Sequence, residues 1–162
     1  MGTGEAPDSL RLKPSRERKF PNLIREGYRV TSPDEWVYNC VAHAADRTDA
    51  RWWPTADEVE GVFWPESVPR DETIEAFILV FGTLGYTPCG DSILETGFET
   101  IAIYVDLNGV PCHVARQLTS GRWTSKLGGW EDIEHDTLTA VESSDYGKAT
   151  HFLKRSRTAG SS

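Results

Sequence analysis

The sequence predicts an α+β domain in which N-terminal helices pack on an antiparallel sheet. Apolar residues recur at helical spacing in the first half of the chain, whereas polar and apolar residues tend to alternate in the second half. Two turn signals, Asn108-Gly109 and Ser120-Gly121, separate the alternating segments. Because short turns join antiparallel neighbours, the second half should form a meander.

Two helices are predicted in the first half. Thr31 and Ser32 are capping residues before a proline and two acids, which indicates a helix that runs to about Ala45, with a break near Asn39 as an alternative. The second helix should cover residues 71–84, because apolar residues are spaced three and four apart and Gly85 follows as a stop.

The strands are expected at residues 101–105, 110–118, 122–127 and 148–154. We expect the first three to pair in chain order, each antiparallel to the next. A parallel sheet with crossover helices would exclude this fold.

The chain divides into one domain, over residues 21–155, and two polar ends. Residues 1–20 and 156–162 hold few apolar side chains, so both are predicted to be flexible tails. On this interpretation, deleting residues 1–18 should barely change the melting temperature.

Composition limits the classes of partner. The net charge of −8 argues against nucleic acid or an anionic membrane as the main partner. No run approaches the roughly 18 apolar residues of a membrane span, and the first residues lack a secretory signal. Three cysteines without framework spacing are typical of free thiols in a reducing compartment. A cytoplasmic protein is therefore expected, with export by a dedicated secretion system as the alternative.

Cys40 is the first candidate for chemistry, because it lies where an apolar helix begins. A helix N-terminus stabilises a thiolate, which is the nucleophilic form of cysteine. A buried helix cysteine that packs as a small apolar residue is the alternative. His113, at the start of a predicted strand, is the candidate base; a half-buried histidine bonded to a carbonyl group is its alternative.

The order of a helix cysteine, a strand histidine, a turn and a polar residue on the next strand resembles the papain-like superfamily, especially its NlpC/P60-like branch. The blocks YNCVAHAA, WWP, GYTPC, HVARQL and RWTSKLG also resemble a bacterial family of unknown function. The superfamily resemblance implies a papain-like fold, with Cys40 as nucleophile, His113 as general base and Ser125 as the group that orients the imidazole.

Ser125 departs from the superfamily pattern, in which the third group is usually Asn, Asp, His or Gln. Asp132 and His135 could fold back as the orienting group instead. Lys126 should point to the opposite face of the strand from Ser125.

Three further residues are candidates for substrate or oxyanion contacts. Asn39 could donate to an oxyanion or cap the helix. Trp123, like the other tryptophans, could fill the core or form a cleft wall. Lys126 begins a turn that could shape one edge of a groove.

A zinc site is the competing interpretation, since Cys40 and His43 are spaced for one helical face and Cys112-His113 could complete four ligands. Adjacent strand residues point to opposite faces, which argues against it. No metal and no cofactor are expected.

These observations and the resemblance predict a cysteine hydrolase that acts on a peptide or side-chain amide bond of a peptide or protein substrate through Cys40 and His113. Deamidation and acyl transfer use the same residues and stay open as alternative reactions. The alternative is a non-catalytic protein-interaction domain of the same fold, in which Cys40 is merely buried. The two differ in whether the Cys40 sulfur lies within about 4 Å of a His113 nitrogen in an open cleft.

Overall fold

A seven-stranded antiparallel sheet dominates the computed structural model, which describes residues 11–157. The strands are Tyr28–Ser32 (β1), Arg51–Trp52 (β2), Val62–Phe63 (β3), Thr87–Cys89 (β4), Phe98–Val105 (β5), Pro111–Gln117 (β6), Trp123–Lys126 (β7), Asp132–His135 (β8) and Lys148–Ser156 (β9). Their order in the sheet is β1-β8-β7-β6-β5-β9-β4, while β2 and β3 form a separate parallel pair.

The helices are few and short. They are Pro14–Glu17 (α1), Leu23–Glu26 (α2), Cys40–Ala44 (α3) and Ile74–Gly82 (α4), with a 3₁₀ helix at Leu138–Val141. None of the helices among residues 11–157 has the length and apolar composition that crossing a membrane requires. The structure is thus a mixed α/β fold with an antiparallel sheet, which confirms the predicted class at this level.

The predicted meander is confirmed at β5, β6 and β7. Ile103 lies opposite Val114, and Arg116 lies opposite Thr124, in antiparallel registers. Gly109 and Gly121 have φ values of +79° and +92°, which an L side chain rarely adopts, so the turn signals mark turns that depend on glycine.

The first predicted helix is wrong over residues 31–39. Thr31 and Ser32 end strand β1, and the helix begins only at Cys40. Strand β1 forms here instead of a helix because Val30 is buried opposite Ile133 of β8. This partner is distant in the sequence, so no local pattern identifies it.

The second predicted helix is confirmed in position and is shorter than expected. Helix α4 begins after Thr73, whose side chain accepts a hydrogen bond from the backbone N–H of Ala76. Phe77 and Phe81 on its inner face are fully buried, which fixes the helix against the sheet.

The fourth predicted strand is β9, and it lies between β5 and β4. Strand β8 was not predicted, although it connects β7 to the edge strand β1. Its four residues contain a single apolar side chain, Ile133, so the segment lacks the alternation that predicts a strand.

Two hydrophobic clusters form the core, and the sheet strands contribute alternate residues to them. The first contains Cys40, Val114 and the inner residues of α3 and α4. The second contains Ala115, Tyr104 and Trp123. Since Val114 and Ala115 are adjacent on β6, the two clusters lie on opposite faces of the sheet.

The prediction of a flexible segment over residues 1–20 needs correction. Leu12 and Phe20 are each 4% exposed and belong to the second cluster. The backbone N–H of Leu12 donates to the Tyr28 hydroxyl at 3.0 Å. Residues 1–10 and 158–162 lie outside the described residues, and β9 continues through Ser156 into the predicted C-terminal tail.

Candidate functional site

Asn39 fixes the start of the helix that carries Cys40. Its side-chain oxygen accepts hydrogen bonds from the backbone N–H groups of Ala42 at 3.1 Å and Trp52 at 3.0 Å. Its side-chain nitrogen donates to the Trp52 carbonyl at 2.9 Å. Both polar atoms of the side chain are therefore engaged in capping the helix and holding the loop.

Replacing Asn39 with alanine should lower the free energy of unfolding by about 2 kcal/mol, because the helix loses its cap and the Trp52 backbone loses two bonds. Asn39→Asp should be intermediate, since it keeps the acceptor and loses the donor. Chemical denaturation of the two variants beside the wild type measures this order. Equal loss in both variants would show that the acceptor contributes nothing.

Cys40 is a core residue in this environment. It is 6% exposed and packs in the first cluster, where α3 contacts β6 and β7. Burial raises the pKa of the Cys40 thiol to about 11, although backbone N–H groups favour the thiolate. This direction is opposite to that of a reactive cysteine.

His113 and Ser125 are in direct contact, as the resemblance implies, and His135 joins them. The His113 Nε2 atom lies 2.9 Å from Ser125 Oγ, which lies 2.8 Å from His135 Nε2. All three residues are 0% exposed. The serine hydroxyl therefore bridges two buried imidazole rings.

The donor and acceptor in each hydrogen bond between His113, Ser125 and His135 can be assigned. The Thr137 carbonyl oxygen, 2.7 Å from His135 Nδ1, can only accept, so His135 Nδ1 carries the proton. In the neutral ring, Nε2 then accepts from the Ser125 hydroxyl, and Ser125 accepts from His113 Nε2–H. His113 Nδ1 is left as a lone pair, and it is buried without a hydrogen-bond partner among residues 11–157.

Burial keeps the imidazole rings of His113 and His135 neutral. It lowers the pKa of His135 to about 4 and that of His113 well below its usual range, where the neighbouring His135 acts in the same direction. The ring of Tyr146 stacks on His113 with centroids 4.2 Å apart, and Tyr104 meets it edge-on at 5.1 Å. These contacts enclose the imidazole.

The Cys40 thiol and the His113 imidazole lie on different faces of the sheet. His113 projects on the same side of β6 as Ala115, toward the second cluster, whereas Cys40 packs with Val114 in the first. Neither nitrogen of His113 contacts the Cys40 thiol: Nε2 bonds to Ser125, and Nδ1 has no hydrogen-bond partner among residues 11–157.

Lys126 and Asp132, with His43, occupy the Cys40 face. The Lys126 ammonium donates to the Trp130 carbonyl and lies 4.8 Å above the Tyr38 ring. The Tyr38 hydroxyl donates to Asp132 Oδ2 at 2.7 Å. His43 Nε2 lies 2.8 Å from Thr124 Oγ1, and burial lowers the pKa of His43 to about 4. Asp132 therefore does not reach the His113 imidazole.

Trp123 fills the core rather than a cleft wall. It is 4% exposed and packs in the second cluster. Within residues 11–157, no group of three His, Cys, Asp or Glu side chains is placed to hold one metal ion.

Tyr146 is not predicted from the sequence, and His135 is predicted only as an alternative to Ser125. Tyr146 lies in an irregular segment without periodicity, so no signal marked it. His135 could have been placed by treating residues 132–135 as a strand paired with β7, because Trp123 then lies opposite His135 and Ser125 lies two residues farther along β7, on the same face.

The fold and site together define an antiparallel-sheet domain. Its buried hydrogen-bonded residues, His113, Ser125 and His135, lie on the other face of the sheet from Cys40. The family described as a domain of unknown function (DUF7689) matches residues 29–154, and the chain belongs to this family. No curated protein and no solved structure matches the chain.

Proposed function

We propose that this chain is a non-catalytic protein-interaction domain, built on a papain-like arrangement of helix and sheet, in which Cys40 is a core residue. The observation that carries the proposal is the separation of Cys40 from His113 by the sheet. General-base catalysis needs the base within hydrogen-bond reach of the proton that it removes. A thiol that is 6% exposed, with a pKa raised to about 11, also lacks the thiolate that would attack a carbonyl carbon.

The protein surface supports the binding part of the proposal. Trp36 and Val37 are 64% and 51% exposed in the loop before α3. The Trp36 ring lies so close to Gly129 that any side chain there would collide with it. Tryptophan is enriched among the residues that dominate protein interfaces, so an exposed ring held against backbone favours a binding role.

Amide hydrolysis through Cys40, His113 and Ser125 is the second candidate, and one contact favours it. Ser125 holds His113 through Nε2, so the lone pair on Nδ1 has the electronic form of a general base. In this mechanism Cys40 would attack the carbonyl carbon and His113 would take and return the proton. It requires α3 to move so that the thiol reaches the other face.

Thiol labelling separates the two candidates. In the folded wild type at pH 7, we expect Cys40 to react with iodoacetamide at least tenfold more slowly than Cys89 or Cys112, both half-buried, because the Cys40 thiol is buried and its pKa is raised to about 11. Mass spectrometry of peptides after timed quenching gives the three rates. His113→Ala should leave the Cys40 rate low.

The opposite result would support the hydrolase. Cys40 labelling that is faster than that of the other thiols, and that slows in His113→Ala, would overturn the interaction-domain proposal. A denatured sample serves as the control, since all three thiols should then react at similar rates.

A further inference from the structure

A pocket of about 510 Å³ lies in the segment between α3 and α4. Two of its apolar lining residues, Val59 and Phe63, are 48% and 45% exposed although both are large. Exposed apolar side chains grouped at a concave surface are typical of interaction sites. The pocket lies apart from the buried histidines and from Cys40, none of which line it.

The aromatic wall of the pocket is held in place. Phe63 pairs with Trp52 in the short parallel ladder of β2 and β3, and their ring centroids are 4.8 Å apart. Trp52 is buried, and the neighbouring Trp64 indole donates to the Pro69 carbonyl at 3.0 Å. The exposed face of Phe63 is therefore presented without the need to order a loop first.

The charges around this apolar wall are mainly negative. Glu58, Glu60 and Glu66 line the pocket and are solvent-exposed, and among residues 11–157 no ion pair involves any of them. The lining cation, Arg70, donates to the Thr55 carbonyl at 3.0 Å, so it is directed at the backbone. The pocket thus combines an aromatic surface with surplus carboxylates.

We propose that this pocket binds a lysine or arginine side chain from a basic segment of a partner protein. The inference rests on the proposed function, since it names the partner class of an interaction domain. The aliphatic stem of the side chain would lie along Val59 and Phe63, and the cation would lie over the ring and between the carboxylates. Both parts of such a side chain are complementary to the pocket.

The test titrates the full chain with penta-arginine and follows tryptophan fluorescence, with pentaglutamate as the matched anionic probe. We expect saturable binding of penta-arginine, no binding of pentaglutamate, and about tenfold weaker binding when salt is raised from about 20 to about 300 mM. Phe63→Leu should weaken binding severalfold through loss of the cation–π contact.

Two triple variants that remove equal charge locate the site. The pocket variant and the control variant, whose carboxylates are exposed elsewhere, are Glu58→Gln/Glu60→Gln/Glu66→Gln and Glu75→Gln/Asp91→Asn/Asp145→Asn. We expect the pocket variant to weaken penta-arginine binding at least tenfold and the control variant to weaken it less than twofold. Circular dichroism confirms that both variants are folded.

Two results would overturn the inference. Equal weakening by both triple variants would mean attraction to the overall negative charge, and absence of binding to the wild type would mean that the pocket takes no cationic side chain. Neither result touches the Cys40 labelling rates, so the failure of this inference and the failure of the proposed function are distinguishable.

Discussion

Lowering the pH from 7 to 5 should lower the free energy of unfolding by about 4 kcal/mol through His43 and His135 alone, about 2 kcal/mol each. Burial lowers the pKa of both rings to about 4 in the folded protein. Between that value and the unfolded value near 6.5, the unfolded chain binds more protons than the folded one. The contribution of these two histidines to stability is therefore fully present above about pH 6.5 and is lost as the pH falls toward 4.

His113 should add to this loss, because its pKa is also lowered by burial. Urea denaturation at pH 7, 6 and 5, followed by tryptophan fluorescence, measures the effect. His135→Gln should reduce the slope of the unfolding free energy against pH by the amount that one bound proton contributes. The variant should also be less stable than the wild type at pH 7. A wild type that is equally stable at pH 5 and pH 7 would contradict the buried, neutral state of these rings.

Phe20→Ala should lower the free energy of unfolding by about 3–4 kcal/mol, the usual loss for a buried phenylalanine. Phe20 is 4% exposed, and its ring lies 5.3 Å from that of Tyr146, which in turn stacks on His113. The segment that the sequence predicts to be a tail therefore supports the Tyr146 ring that encloses His113.

Thermal and urea denaturation of Phe20→Ala beside Lys19→Ala provide the measurement. Lys19 is exposed, so its replacement should change stability by less than about 0.5 kcal/mol. Deleting residues 1–20 should destabilise at least as much as Phe20→Ala, because Leu12 is lost as well. A deletion that leaves the midpoint unchanged would mean that this segment does not pack as described.

Local signals were sufficient for the central strands. The Asn108-Gly109 and Ser120-Gly121 turns fix which segments are neighbours, and alternation along β6 and β7 places His113 and Ser125 on one face. The contact itself is expected from the resemblance to the papain-like superfamily.

The position of Cys40 could not be predicted in the same way. Alternation assigns residues of one strand to two faces, but it does not say on which face a preceding helix will pack. That choice depends on the apolar residues of α3 and α4 that meet Val114 and Ile103. Strand β1 was missed for a related reason, since its partner β8 is distant in the sequence.

The pairing of β1 with β8 has a consequence for synthesis on the ribosome. Tyr28 pairs with His135, so the first strand of the sheet has no partner until the chain has been made well past residue 135. At elongation rates of roughly 5–20 residues per second, that delay is on the order of 5–20 s. During this time Val30 and its neighbours are unpaired, so chaperones that bind short apolar segments of nascent chains have their longest opportunity here.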